Sequence, residues 1–190
     1  TRACRHRRRP RRRTTASRAA ARPSPAAEAV EHAFDRVAQK WLSDGLQWGG
    51  ACCGGPAPFV GPVGYGVTPI VGRSVVTGMR FYTANDSSGR DPMDYGLEGS
   101  NDGGSTWNYI TGGKLIGTLS LPANRNSVGS AILDPISGSF GTNNFMVEVN
   151  FANTTDYKSY RVTVTNVYSR YNNALMQIAE IELLGTLVSS

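Results

Sequence analysis

The eight residues "NFMVEVNF", 144–151, leave little choice but a β-strand with one buried face. Side chains alternate across an extended chain, so Phe145, Val147, Val149 and Phe151 point one way while Met146, Glu148 and Asn150 point the other. The run "YKSYRVTVTNV" repeats the pattern, with Tyr160, Val162 and Val164 inward and Arg161, Thr163 and Thr165 outward. Similar runs predict strands near 75–83, 95–99, 114–121 and 177–184, separated by glycine, asparagine and proline clusters. Many short half-buried strands in a chain of 190 residues, long enough for one core, predict an all-β class: an antiparallel β-sandwich of jelly-roll type.

Two segments before these strands read differently. In "AAEAVEHAFDRVAQKWL", Val30, Phe34, Val37 and Trp41 fall at helical spacing after a Ser24 cap and Pro25. From Trp48 to Gly72 the chain is so rich in glycine and proline that an irregular loop with one edge strand is expected.

The net charge of +6 conceals a division. Residues 1–24 hold ten arginines and no acid, so of the 20 basic residues ten remain elsewhere against 14 acidic, a net of −4. A segment of that composition repels itself and buries nothing, which predicts a solvated tail open to an acidic partner such as a neighbouring subunit of a complex. Its Arg-rich, acid-free, Ala/Ser/Thr-containing bias also matches a targeting remnant and tilts the localisation toward an organelle, plastid or mitochondrion, over secretion. Nucleic acid is disfavoured, because no aromatic residue in the tail could stack on a base. The domain division expected is therefore 1–24 for the tail, 25–187 for the sandwich and 188–190 for the end. No run of about 18 apolar residues suggests a membrane-spanning segment. Cys4, Cys52 and Cys53 offer no disulfide framework, and the triplets at Asn85 and Asn153 match the glycosylation pattern without locating the protein.

Catalytic chemistry has few candidates. The histidines are His6 and His32, so a nucleophilic triad or Cys-His pair would have to use His32, and adjacent cysteines lack zinc-ligand spacing. Paired carboxylates for glycoside hydrolysis could come from Asp86, Asp91, Asp94, Glu98 and Asp102, most of which sit beside turn residues. "NDSSGRDP" reads instead as a structural loop built by Asn85, Asp86, Arg90 and Asp91, with Arg90 paired to Asp86 or Asp91, and "SNDGGSTW" as a hairpin turn. For a sugar, whose pyranose face stacks on an exposed ring, the loop aromatics are Trp41, Trp48, Tyr65, Tyr168 and Tyr171.

Four stretches in order, "AFDRVAQKWL", "VVTGMRFYTANDSSGRDPMDYGLEGSNDGGSTWNYI", "KSYRVTVTNV" and "LMQIAEIELLG", resemble the coagulation factor 5/8 type C (discoidin) domains and family 32 carbohydrate-binding modules over roughly 29–185. The resemblance implies a galactose-binding-like jelly roll without catalytic machinery, whose loops at one end bind sugars, lipid head groups or proteins. It implies a loop at 35–40, leaving only a short helix before Phe34, and core positions for Trp41 and Trp107. A structural calcium on Asp35 and Glu180 is also implied, although this chain has Arg36 where relatives have glycine and Gln39 where they have threonine. The expected ligand-binding residues are then Tyr168, Arg170, Tyr171 and Trp48. A glycan- or protein-binding module is the function expected, followed by an accessory or scaffold subunit of an organellar assembly anchored by its basic tail, and then by a glycoside hydrolase.

Overall fold

The computed structural model describes residues 28–36, 39–44, 59, 61–115, 146–169 and 175–188. The arginine-rich segment, Trp48, both adjacent cysteines, Arg170 and Tyr171 lie outside the described residues. Among the described residues, nine strands follow a five-residue 3-10 turn at Val30–Phe34: β1 Trp41–Asp44, β2 Val63–Val67, β3 Ser74–Tyr82, β4 Pro92–Ser100, β5 Asn108–Lys114, β6 Met146–Asn150, β7 Ser159–Val167, β8 Leu175–Ile178 and β9 Glu180–Leu187. They pair antiparallel in the orders β2-β7-β4-β5, β6-β3-β9 and β1-β8.

The alternation read from the sequence sorts the side chains as expected. Tyr160, Val162 and Val164 of β7 are buried beside Tyr95 and Leu97 of β4. From the other sheet come Met79, Phe81 and Ile181, with Val147, Val149 and Phe151 packed against them. The rings of Phe81 and Tyr95 meet across the gap at 5.3 Å. Met146, on the opposite face of β6, packs instead against Tyr82 and Ala179. Phe145 lies outside the described residues.

The short helix expected before Phe34 is a 3-10 turn, Val30–Phe34, which ends because Asp35 caps it and Arg36 takes a left-handed backbone (φ 64) that no helix continues through. The strands depart from expectation in two places. Strand β5, Asn108–Lys114, which a hairpin from β4 delivers, was not expected, because two glycines within it lower its propensity, while of the strand expected at 114–121 all but the first two residues lie outside the described residues. The single strand expected at 177–184 is two, β8 and β9, parted at Ala179, whose amide bonds to the Tyr82 carbonyl.

The hairpin turn itself forms as expected. Gly103 and Gly104 hold positive φ (75 and 88), which glycine adopts without a Cβ penalty. The Asp102 carboxylate accepts from the Thr106 amide at 3.0 Å, the Thr106 hydroxyl at 2.6 Å and the Ser100 hydroxyl at 2.8 Å. These bonds, those from Thr106 first, hold its carboxyl well below the usual range.

Gly99, at the base of this hairpin, allows Tyr157 to pack where a side chain would stand, since an added Cβ would lie 2.3 Å from the ring. Gly99→Ala is expected to lower stability by about 1–3 kcal/mol, the usual range for overpacking, as read from the midpoint of urea unfolding.

Candidate functional site

Between β3 and β4 the chain makes a loop, 83–91, whose ends are sealed: Thr83, Ala84 and Asp91 are buried. Ser87 adopts φ 39, and a single 3-10 turn at Ser88–Arg90 follows. Two distant elements hold the middle of the loop. The buried Gln177 of β8 donates its side-chain amide to the carbonyls of Asp86 and Ser87, the latter at 3.1 Å. Lys40, just before β1, donates to both carboxylate oxygens of Asp86 at 3.2 and 3.0 Å and reaches Glu28 at 3.2 Å.

Against this loop lies the turn that leaves β7. The Tyr168 amide donates to the Asp91 carbonyl at 3.1 Å and the Ser169 amide to the Gly89 carbonyl at 2.8 Å. The backbone of Tyr168 is thus pinned while its side chain stands 58% exposed. The structure therefore joins the expected ligand-binding turn to the expected structural loop at one end of the sandwich. Arg170, Tyr171 and Trp48 lie outside the described residues.

One pairing differs from expectation. Asp86 is held by Lys40 rather than Arg90, and the Arg90 Nε is buried without a hydrogen-bond partner among the described residues. The tether from Lys40, just before β1, joins the loop to the sheet, beside the loop's own backbone bonds from Arg90 to Ser87 and from Asp91 to Ser88.

Other aromatic candidates leave the surface. Tyr65 lies buried in β2, with Phe34 at 5.3 Å and the Trp41 ring edge-on at 5.6 Å. Trp41 fills the core as implied. Trp107 does not: it is only partly covered and carries the Arg161 guanidinium 4.8 Å from its ring centre. Tyr109, 72% exposed on β5, was not singled out from the sequence, because no strand was expected over 108–113. The outward position in a strand following the Asn-Asp-Gly-Gly turn was the signal available.

The carboxylates considered for hydrolysis each have partners. Asp86 meets Lys40, Asp94 accepts from Asn166 at 3.0 Å, Glu98 accepts from Arg161, and Asp102 closes its own turn. Asp91 is fully buried. His32 bonds to Asp35 at 2.8 Å.

Asp35 and Glu180 meet where the 3-10 turn docks on β9. Glu180 is buried and accepts the Arg36 amide at 2.8 Å. Burial pushes its carboxyl up to about 8; the amide bond lowers it, while the nearby Asp35 and Glu182 raise it further. Oxygen donors that repel one another in a sheltered position suit a hard cation such as calcium, which takes six to eight oxygens. No group of three or more His, Cys, Asp or Glu side chains arranged for a metal occurs among the described residues, so the other ligands would be backbone carbonyls.

With this geometry in hand, comparison with solved structures becomes informative. The fold is that of the galactose-binding-like family 32 carbohydrate-binding modules and discoidin-type domains. The module CBM32-3 from a family 31 glycoside hydrolase of Clostridium perfringens is similar at TM-score 0.58 and 16% identity, covering 86% of each chain. A putative chitobiase fragment from Bacteroides thetaiotaomicron gives TM-score 0.57 and 13% identity over 86% of this chain and 79% of that one. A further C. perfringens module, CpGH89CBM32-5, solved in complex with GalNAc-β-1,3-galactose, gives TM-score 0.52 and 12% identity over 82% of each. No family model and no curated protein matches the sequence. No helix among the described residues is long and apolar enough to cross a membrane.

Because the Glu180 carboxyl is raised in the folded chain, folding takes up a proton, and stability falls as pH climbs from the ordinary range toward about 8. In chelator, melting temperature is expected to drop between about pH 5 and about pH 8 more in the wild type than in Glu180→Gln. Equal drops in thermal melts would show that Glu180 ionises without penalty.

Proposed function

We propose that this chain is a non-catalytic module that recognises a glycan through the loops at the Tyr168 end of the sandwich. The observation that carries this reading is the pinned turn: an exposed ring on a backbone already bonded to the 83–91 loop loses little freedom when a sugar stacks on it. Arg170 and Tyr171 follow directly in sequence and Trp48 belongs to the β1–β2 connection, and these are the residues proposed to complete the platform. Support for a sugar as ligand comes from fold relatives solved with GalNAc-β-1,3-galactose and with galactose. The carboxylates engaged with structural partners favour binding over hydrolysis.

Asp35 and Glu180 are proposed to hold a structural calcium, which would neutralise the carboxylates and fix the 3-10 turn on β9. A cation that binds only the folded state raises stability with the logarithm of its concentration. Added calcium is expected to raise the melting temperature of the wild type and not that of Glu180→Gln; no difference from chelator-treated protein would remove the metal from the reading.

Titration with galactose and with GalNAc-β-1,3-galactose tests the binding site. Tyr168→Ala and Tyr171→Ala should each weaken affinity by about tenfold, equivalent to about 1.4 kcal/mol, while leaving the melting temperature within a degree or so. Unchanged affinity in the double variant would remove this turn from the site.

A further inference from the structure

The outer face of the four-stranded sheet carries a trough of about 600 Å³, lined by neither Tyr168 nor any residue of the 83–91 loop. Three cross-strand rows build it. The first wall is Arg161, Glu98 and Tyr109, directly opposite one another on β7, β4 and β5. The opposite wall is Asp94 and Lys114, paired on β4 and β5, with Thr165 of β7 beside them. Between them the row Thr163, Gly96 and Gly112 forms a low floor, because two of its three members have no side chain.

The walls are ordered. Glu98 accepts from the Arg161 Nε, and the guanidinium is backed by Trp107. Asn166 donates to Asp94 at 3.0 Å. Tyr109 leans over the floor: its hydroxyl would be 3.2 Å from a Cβ on Gly112, which would also press within 2.8 Å of the Tyr95 carbonyl. A register shift between Leu97 and Glu98 brings Tyr109 into line with Glu98 and onto the trough face.

We infer that this trough binds a neutral oligosaccharide, at a site separate from the Tyr168 loops. Its charges balance, with Asp94 and Glu98 against Lys114 and Arg161, so neither an acidic nor a basic chain is favoured. An exposed aromatic ring beside fixed donors and acceptors is the combination that holds a pyranose, the ring taking the apolar face and the polar groups the hydroxyls. The floor row crosses β7, β4 and the edge strand β5 and lies on the face of the sheet, not along the β5 edge where a peptide strand would add. The walls, four residues apart on β4, lie about 13 Å from each other, and three strands at about 4.8 Å spacing extend the trough over about 10 Å, room for about two sugar rings rather than one.

The test is calorimetric titration of the full chain with cellohexaose, mannohexaose and β-1,4-linked galactohexaose, with the monosaccharides alongside. At least one hexasaccharide is expected to bind more tightly than its monosaccharide. Tyr109→Ala removes the platform, and Gly96→Val fills the floor, where the atom near an added Cβ is the Thr163 hydroxyl oxygen at 2.8 Å, which can rotate aside. Each variant should weaken that binding about tenfold or more, with Tyr168→Ala leaving it unchanged. Affinity should hold between about 0.05 M and about 0.5 M salt, because a neutral ligand releases no counterions. Should Gly96→Val fail to fold, Tyr109→Ala decides alone. The inference is overturned if no hexasaccharide binds, if Tyr109→Ala binds as the wild type does, if Tyr168→Ala abolishes the binding instead, or if affinity collapses with salt. A null result with Tyr168→Ala on galactose would count against the loop site alone.

Discussion

Contact between the inner faces of the two larger sheets, centred on the rings of Phe81 and Tyr95, is what the remaining structure depends on. With a side-chain period of two, fixing Tyr95 and Leu97 inward on β4 sends Asp94, Gly96 and Glu98 outward. On β7 the same rule sends Arg161, Thr163 and Thr165 out once Tyr160, Val162 and Val164 are in. A slip of one residue would bury the Arg161–Glu98 pair and expose the aromatic row, at a cost far beyond the stability of a domain this size. The outer trough is therefore a consequence of the core: the residues that line it stand there because their neighbours pack.

The loop end obeys a different constraint. Loops must satisfy their own backbone groups, and this one borrows Gln177 from β8 for two of its carbonyls, while Lys40, from the approach to β1, holds the Asp86 side chain. Gln177 is buried, so its bonds to the Asp86 and Ser87 carbonyls are shielded from competition with water. The turn after β7 then has a rigid surface to bond to. Preorganisation at this end is inherited from the sheet, and it makes an exposed Tyr168 a platform rather than a mobile ring.

Local pattern carried much of the fold. The alternating faces of β6 and β7 were legible because each depends only on residues two apart, and the Asp102 turn because its partners lie within four positions. What failed to read involved distance in sequence or the absence of a side chain. Lys40 and Asp86 are 46 residues apart, and nothing local announces the pair. Tyr65 looked like a loop aromatic in its glycine-rich surroundings, yet β2 pairs with the buried β7 and takes the ring inside against Trp41. Strand β5 escaped because Gly112 and Gly113 weaken its propensity, and with it escaped Tyr109 and the trough. At the candidate loop site, Tyr168 and the supporting loop were legible from composition and position, whereas the bonds that bring them together were not.

Arg36 shows how a charged residue can stand beside a buried carboxylate without neutralising it. Its left-handed backbone, φ 64, is a conformation that glycine adopts freely and that a side chain takes at a cost of about 1 kcal/mol. Its amide offsets part of that cost by bonding to the buried Glu180. The guanidinium, though, reaches out to Glu182 at 4.0 Å and is more than half exposed, so its charge is screened and neutralises little. Burial continues to press Glu180 toward its protonated form, with Asp35 adding repulsion. The arginine thus stands beside Glu180 without doing the work of a cation, and the carboxylate beneath it is the group that a bound metal would stabilise most.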